Sequence, residues 1–152
     1  MTKETIKIEK TDLLGNLNKI KNIFHKNPKF DLKKGYINNI TPLMAAAMNN
    51  QSKTIEYLLE KGADLNQRSK GGDTVLHAGV FGSHAIVKKL INKGVSVNQL
   101  NKSGISPVKL AIYLKKTAII KLLLKHSANP NFHGKAPTAA VIKKISSSHI
   151  KN

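Results

Sequence analysis

The chain has no cysteine, no tryptophan, a single arginine (Arg68) and no acidic residue beyond Asp73. Each shortage removes a class of chemistry. Without cysteine there are no disulfides, no thiolate metal sites and no cysteine nucleophile. Without a carboxylate over residues 74–152, half of the chain lacks any acidic general base, and no paired carboxylates stand ready for acid–base work. A nucleophile elbow is missing too, and Gly71-Gly72 is not followed by the lysine and hydroxyl of a phosphate-binding loop. These absences argue against an enzyme and call for no cofactor. No stretch approaches the ~20 apolar residues of a membrane span. Residues 1–10 alternate charge with short apolar side chains and carry no apolar block of a secretory signal. The expected location is cytoplasmic, or a host cytosol if the chain is exported by a route that needs no such signal.

What is abundant is lysine. The net charge is +18, and 25 of the 26 basic residues are lysine. Residues 1–73 hold 13 basic against eight acidic residues, net +5, whereas residues 74–152 hold 13 lysines and no acid, net +13. Such a field draws in polyanions or an acidic protein. Asparagine and isoleucine are also plentiful, and with lysine they share AT-rich codons, so genome composition is a competing source of the charge. Base or phosphate readout also favours several arginines, and here there is one.

The apolar residues are organised by a period. Thr41-Pro42-Leu43-Met44-Ala45-Ala46, Thr74-Val75-Leu76-His77-Ala78-Gly79 and Ser106-Pro107-Val108-Lys109-Leu110-Ala111 superimpose at offsets of 33 and 32 residues. Each phrase opens a helix: a hydroxyl caps it, proline presets the first position in two of the three, and Leu43/Ala46/Ala47, Leu76/Gly79/Val80 and Val108/Ala111/Ile112 fall on one face. A second helix follows with apolar triplets at i, i+3 and i+4: Ile55/Leu58/Leu59, Val87/Leu90/Ile91 and Ile120/Leu123/Leu124. It closes at Gly62, Gly94 and Ser127, where a left-handed backbone is expected; the serine departs from glycine and should carry strain of about 1 kcal/mol. Between Val80 and His84 the middle unit is one residue shorter than its neighbours. Gly15-Asn16 and Ile20/Ile23/Phe24 read as the second helix of a worn first unit, and Ala136–Ile145 restarts the phrase before a polar tail.

These phrases closely resemble the ankyrin repeat, over roughly residues 15 to 145. A fixed period of this length is the signature of a solenoid, in which each unit buries its apolar face only against its neighbours. The resemblance implies an all-α ankyrin-repeat solenoid of stacked helix-turn-helix units with hairpin-like finger loops. The expected divisions are 1–37 (degenerate cap), 38–70, 71–102 and 103–135 (repeats), and 136–152 (half-repeat cap and tail). It also implies a protein-binding surface on the concave groove and fingers. By register the groove positions are Met48, Asn49, Phe81, Tyr113 and Leu114, then Lys143 and Lys144. The finger positions are Ile37, Asn38 and Ile40, then Lys70, Gly71 and Asp73, then Lys102, Ser103 and Ile105, then Lys135.

Ile40, Met48, Phe81, Ile105, Tyr113 and Leu114 are apolar or aromatic where solvent favours polar side chains, a composition suited to a binding patch rimmed by lysine. Tyr113 is the best single candidate. The opposing reading has the shortened middle unit tuck Phe81 inward and Leu114 pack on the next turn. Tyr57 and Phe24 fit the second-helix face as scaffold. His77 resembles the family's structural hydrogen-bonding histidine. His126 and His133 lack a carboxylate partner or a metal-binding motif. The expected partner is therefore another protein with an acidic surface, and the expected role is that of an effector, a toxin-neutralising immunity protein or an adaptor. The main alternative is polyanion or nucleic-acid binding by the basic C-terminal half.

Overall fold

The computed structural model describes residues 16–32 and 37–129. The N-terminal arm, the restarted phrase at Ala136 and the residues Lys135, Lys143 and Lys144 lie outside them. Within the described residues the elements are helices and connecting turns: α1 (Leu17–Lys26), α2 (Pro42–Met48), α3 (Ser52–Glu60), α4 (Val75–Phe81), α5 (His84–Asn92), α6 (Pro107–Tyr113) and α7 (Thr117–Lys125).

Each first helix begins as the opening phrase requires. Thr41 Oγ1 accepts from the Met44 N–H at 3.2 Å and Ser106 Oγ from the Lys109 N–H at 3.3 Å, each followed by proline at the first helical position. Thr74 and His77 form a reciprocal box: the hydroxyl accepts from the His77 N–H, and His77 Nδ1 accepts from the Thr74 N–H at 3.2 Å. At the N-terminal unit Asn16 caps α1 by accepting from the amides of Asn18 and Lys19.

The helices form two layers. First helices pack in a row, α2 on α4 and α4 on α6, while in the second layer α1 packs on α3 and α5 on α7. One core runs through both, with Leu43, Ile55, Leu58, Leu76, Leu90, Ile120 and Leu123 fully buried. Each such side chain contributes about 1.5–3 kcal/mol, and because these atoms touch neighbouring units the array is stabilised collectively. In the second layer the Lys89 ammonium donates to the Glu56 carboxylate, an ion pair that ties α5 to α3 at the surface. Phe24 meets Phe30 and Tyr57 edge-on, with centroids 5.6 and 5.7 Å apart, so these aromatics hold α1 to α3.

The second helices end alike. Gly62, Gly94 and Ser127 have φ of 87°, 85° and 63°, and the next residue's N–H reaches back to Leu58, Leu90 and Leu123 respectively. Ser127 thus adopts the left-handed backbone at a position built for glycine. The turn is held from the preceding unit: Asn98 Nδ2 donates to the Ser127 carbonyl at 3.1 Å, and Asn98 Oδ1 accepts from the Asn129 N–H at 2.8 Å.

The first helices do not all end alike, and the missing residue explains why. After α2 and α6 a left-handed residue, Asn50 (φ 58°) or Lys115 (φ 55°), turns the chain, and the amides of Gln51 and Lys116 return to the carbonyls of Ala46 and Ala111 at 2.9 Å. The middle unit has no residue for this closure. Gly82 turns instead with φ −73° and ψ −122°, so tightly against α2 that a Cβ on it would lie 2.3 Å from the Ala47 carbonyl oxygen. The carbonyls left over at the end of α4 are met from the next unit, where Lys116 Nζ donates to Phe81 O at 2.8 Å and Gly82 O at 3.0 Å.

Candidate protein-binding groove

Because the first helices stand side by side in one register, the last residue of each occupies the same place on the array. Those residues are Met48, Phe81 and Tyr113. With Leu114, just past the end of α6, they are the large hydrophobic side chains the described fold leaves exposed: 37% for Met48, 50% for Phe81, 58% for Tyr113 and 38% for Leu114. The shortened turn does not tuck Phe81 inward, and Leu114 is not buried by the turn that follows it. Repeat register alone assigns all four to the groove.

A cavity of about 530 Å³ opens between α2, α4 and the loops that precede them. Its apolar wall is Ile40, Met44, Met48, Ala78 and Phe81, and its rim carries Asn38, Ser69, Lys70, Gly71 and Asp73. Met44 and Ala78 stand in the opening phrase but outside the apolar triplets that the spacing assigns to the core. Both are buried, and each contributes to the groove floor.

The loops before α2, α4 and α6 stack by backbone hydrogen bonds. The Lys70 N–H donates to the Asn38 carbonyl at 2.6 Å, and the Lys102 N–H to the Gly71 carbonyl at 2.9 Å. Ile37 opens the tight turn Ile37–Asn39 of the first loop, and Asn38 takes a left-handed φ of 54° there. In the second loop Asp73 is engaged internally: Oδ1 accepts from Asn101 Nδ2 at 2.8 Å, and Oδ2 faces the Ser69 hydroxyl at 3.3 Å. In the third, Asn101 Oδ1 accepts from the amides of Ser103 and Ile105, each at 3.0 Å, which shapes the tip and leaves Lys102 and Ser103 exposed. Ile40 and Ile105 are half-buried at the loop bases, and exposed Asn49 donates to the Ala45 carbonyl at 2.8 Å. Sequence register therefore brings Met48, Phe81, Lys70 and Asp73 to one cavity, with Tyr113, Leu114 and Lys102 in the next unit.

His77 links the units beneath the groove. Its Nδ1 accepts from Thr74, and its Nε2–H donates to the Ile105 carbonyl at 2.9 Å, which assigns the Nε2–H tautomer. Burial pushes its pKa below the ordinary histidine value of 6.5, so the ring is neutral at physiological pH. Arg68 is likewise used inside the fold: its guanidinium donates to the carbonyls of Gly72 and Leu100 at 3.0 and 2.8 Å, and to the Gln99 side chain. Among the described residues no three His, Asp or Glu side chains gather to hold a metal ion. His25 lies in the last turn of α1 and His84 opens α5.

Residues 11–101 match the family model described as ankyrin repeats (3 copies). The chain belongs to the ankyrin repeat family. Ankyrin repeats build a protein–protein interaction module, and the family is in general non-enzymatic. The matched residues of this ankyrin repeat chain end before α6 and α7, which repeat the capped first helix and apolar second helix of the matched units. An ankyrin repeat protein of fowlpox virus (strain NVSL) is 35% identical over 96 residues, which are 61% of this chain and 28% of the viral protein. The chain thus spans a little over a quarter of that curated relative. No helix among the described residues is long and apolar enough to cross a membrane.

Proposed function

We propose that this ankyrin repeat chain is a non-catalytic binding module that holds an acidic protein in the groove beside Met48, Phe81, Tyr113 and Leu114. The supporting observation is that, among the described residues, the large hydrophobic side chains left exposed are Met48, Phe81 and Tyr113, at the ends of successive first helices, and Leu114 next to the last of them, where a folded monomer gains nothing from displaying them. Lysines at the loop tips supply the attraction and the apolar row supplies the lifetime of the complex. An effector in a host cytosol, an immunity protein and a cytoplasmic adaptor would use such a surface in the same way and differ in whose protein occupies it.

Nucleic acid is a weaker fit. Arg68 is already committed to backbone carbonyls, and the two lysine pairs on described residues are split. Lys89 pairs with Glu56 while Lys88 faces solvent; Lys116 caps α4 while Lys115 is exposed. Among the described residues, each lysine pair therefore gives one ammonium to the fold and one to solvent. Titration with a DNA duplex and with the protein partner isolated from the native host, across ~50–300 mM salt, separates the readings. Duplex binding should fall steeply through counterion release, whereas the protein complex should keep most of its affinity and form more slowly. Sequence-selective duplex binding that survives the upper salt range would overturn the proposal.

A further inference from the structure

We infer that the occupant of the groove is an acidic amphipathic α-helix, laid along Met48, Phe81 and Tyr113 with its carboxylates toward Lys70 and Lys102. This rests on the groove reading above and adds the conformation and chemistry of the partner segment.

The first support is hydrogen-bonding capacity. An extended segment, whether strand or polyproline helix, brings unpaired N–H and C=O groups that need partners once they leave water. The groove has few to give. Both His77 ring nitrogens are used, by Thr74 and by the Ile105 carbonyl. Ser69 and Asp73 bond each other and Asn101. The carbonyls of Asn38 and Gly71 already accept from Lys70 and Lys102. A partner strand would also want a free sheet edge, and the described residues contain no strand. What remains is mainly apolar surface, with Asn38 and Lys70 at the cavity rim and Lys102 on the next loop, which suits a helix whose backbone is satisfied internally.

The second support is spacing. Met48, Phe81 and Tyr113 end helices that pack side by side, so the apolar row advances by one interhelical distance per unit, roughly 8–10 Å. Seven residues of α-helix rise about 10.5 Å and return to the same face. Three residues of strand rise about 10 Å but land on the opposite face, whereas three residues of polyproline helix rise about 9 Å and keep the face, so spacing sets aside the strand and backbone hydrogen bonding the polyproline helix. A helix with an apolar residue at every seventh position therefore meets all three contacts within ~15 residues.

The third support is charge. Lys70 and Lys102 are exposed, one per unit, and neither has an ion pair or side-chain hydrogen bond among the described residues. Lys109 stands on α6 at the position that Met44 and His77 fill on α2 and α4, adding a third cation. The acid at the cavity rim, Asp73, bonds Asn101 and Ser69 and forms no ion pair with either lysine among the described residues. Carboxylates flanking the partner's apolar stripe would be matched by these ammonium groups.

The test uses the full-length chain and three synthetic peptides of ~18 residues and identical length and charge. One carries leucine at every seventh position with glutamate flanking each; the second has leucine at every fifth position; the third is the first with a central proline. Fluorescence titration should give the seven-step peptide at least about tenfold tighter binding than either control, with helical circular dichroism gained on binding. Lys70→Gln with Lys102→Gln should weaken it by about tenfold at low salt and much less at high salt. Equal binding by the five-step or proline peptide, or no binding by the seven-step peptide, would overturn the helix assignment. If the native partner still depends on Phe81 and Tyr113 in that event, the groove reading stands without it; if the native partner is indifferent to both, the groove reading fails as well.

Discussion

His77 shows what the smallest scale contributes. A buried imidazole with both nitrogens engaged joins the cap of α4 to the loop before α6, and its acceptance from the Thr74 N–H requires the neutral ring. Its folded-state pKa is lowered by burial, so the unfolded chain takes up a proton near the ordinary value of 6.5 while the folded chain does not. Stability is therefore complete above about pH 6.5 and falls as pH drops below it, levelling only once the folded pKa is passed. Urea denaturation between pH 8 and 5 should show the midpoint declining below about pH 6.5, and His77→Gln should flatten that slope. A midpoint independent of pH in the wild-type chain would contradict the burial argument. The groove residues were legible at this scale because a repeat assigns every position a face: Met48, Phe81 and Tyr113 follow from counting. The internal engagement of Asp73 was not, since its partner Asn101 is 28 residues away and only the stacked loops bring them together.

At the scale of elements, a one-residue deletion in the middle unit has been absorbed by two compensations. Gly82 permits the closer approach of α4's end to α2, and Lys116 supplies donors to the stranded carbonyls. The deletion could be read from the sequence, as a shorter turn between Val80 and His84. Its repair could not, because Lys116 reaches across more than thirty residues and, in sequence, is half of a lysine pair in a turn. Gly82→Ala should cost about 2–4 kcal/mol, since the new methyl meets backbone rather than a side chain that can move. Lys116→Met keeps the aliphatic stem and loses the ammonium, and should cost about 1 kcal/mol. Chemical denaturation measures both. A neutral Gly82→Ala would mean that the turn has another conformation than the one described.

The whole molecule divides its labour between layers. The second helices and the inner faces of the first build a shared core, and the ends of the first helices and the loops before them build a surface that the core does not need. That division was legible because periodicity separates buried from exposed positions, whereas the cavity between α2 and α4 is assembled only by the stacked array. The most direct measurement is thermal melting and partner binding of the same Phe81→Ala/Tyr113→Ala double variant. The expected result is a melting temperature within a few degrees of the wild type, with affinity for the native partner lowered about 100-fold or more, as for two central aromatic contacts. A collapse in melting temperature while the remaining folded protein binds normally would make these aromatics core residues and remove the groove as the binding surface.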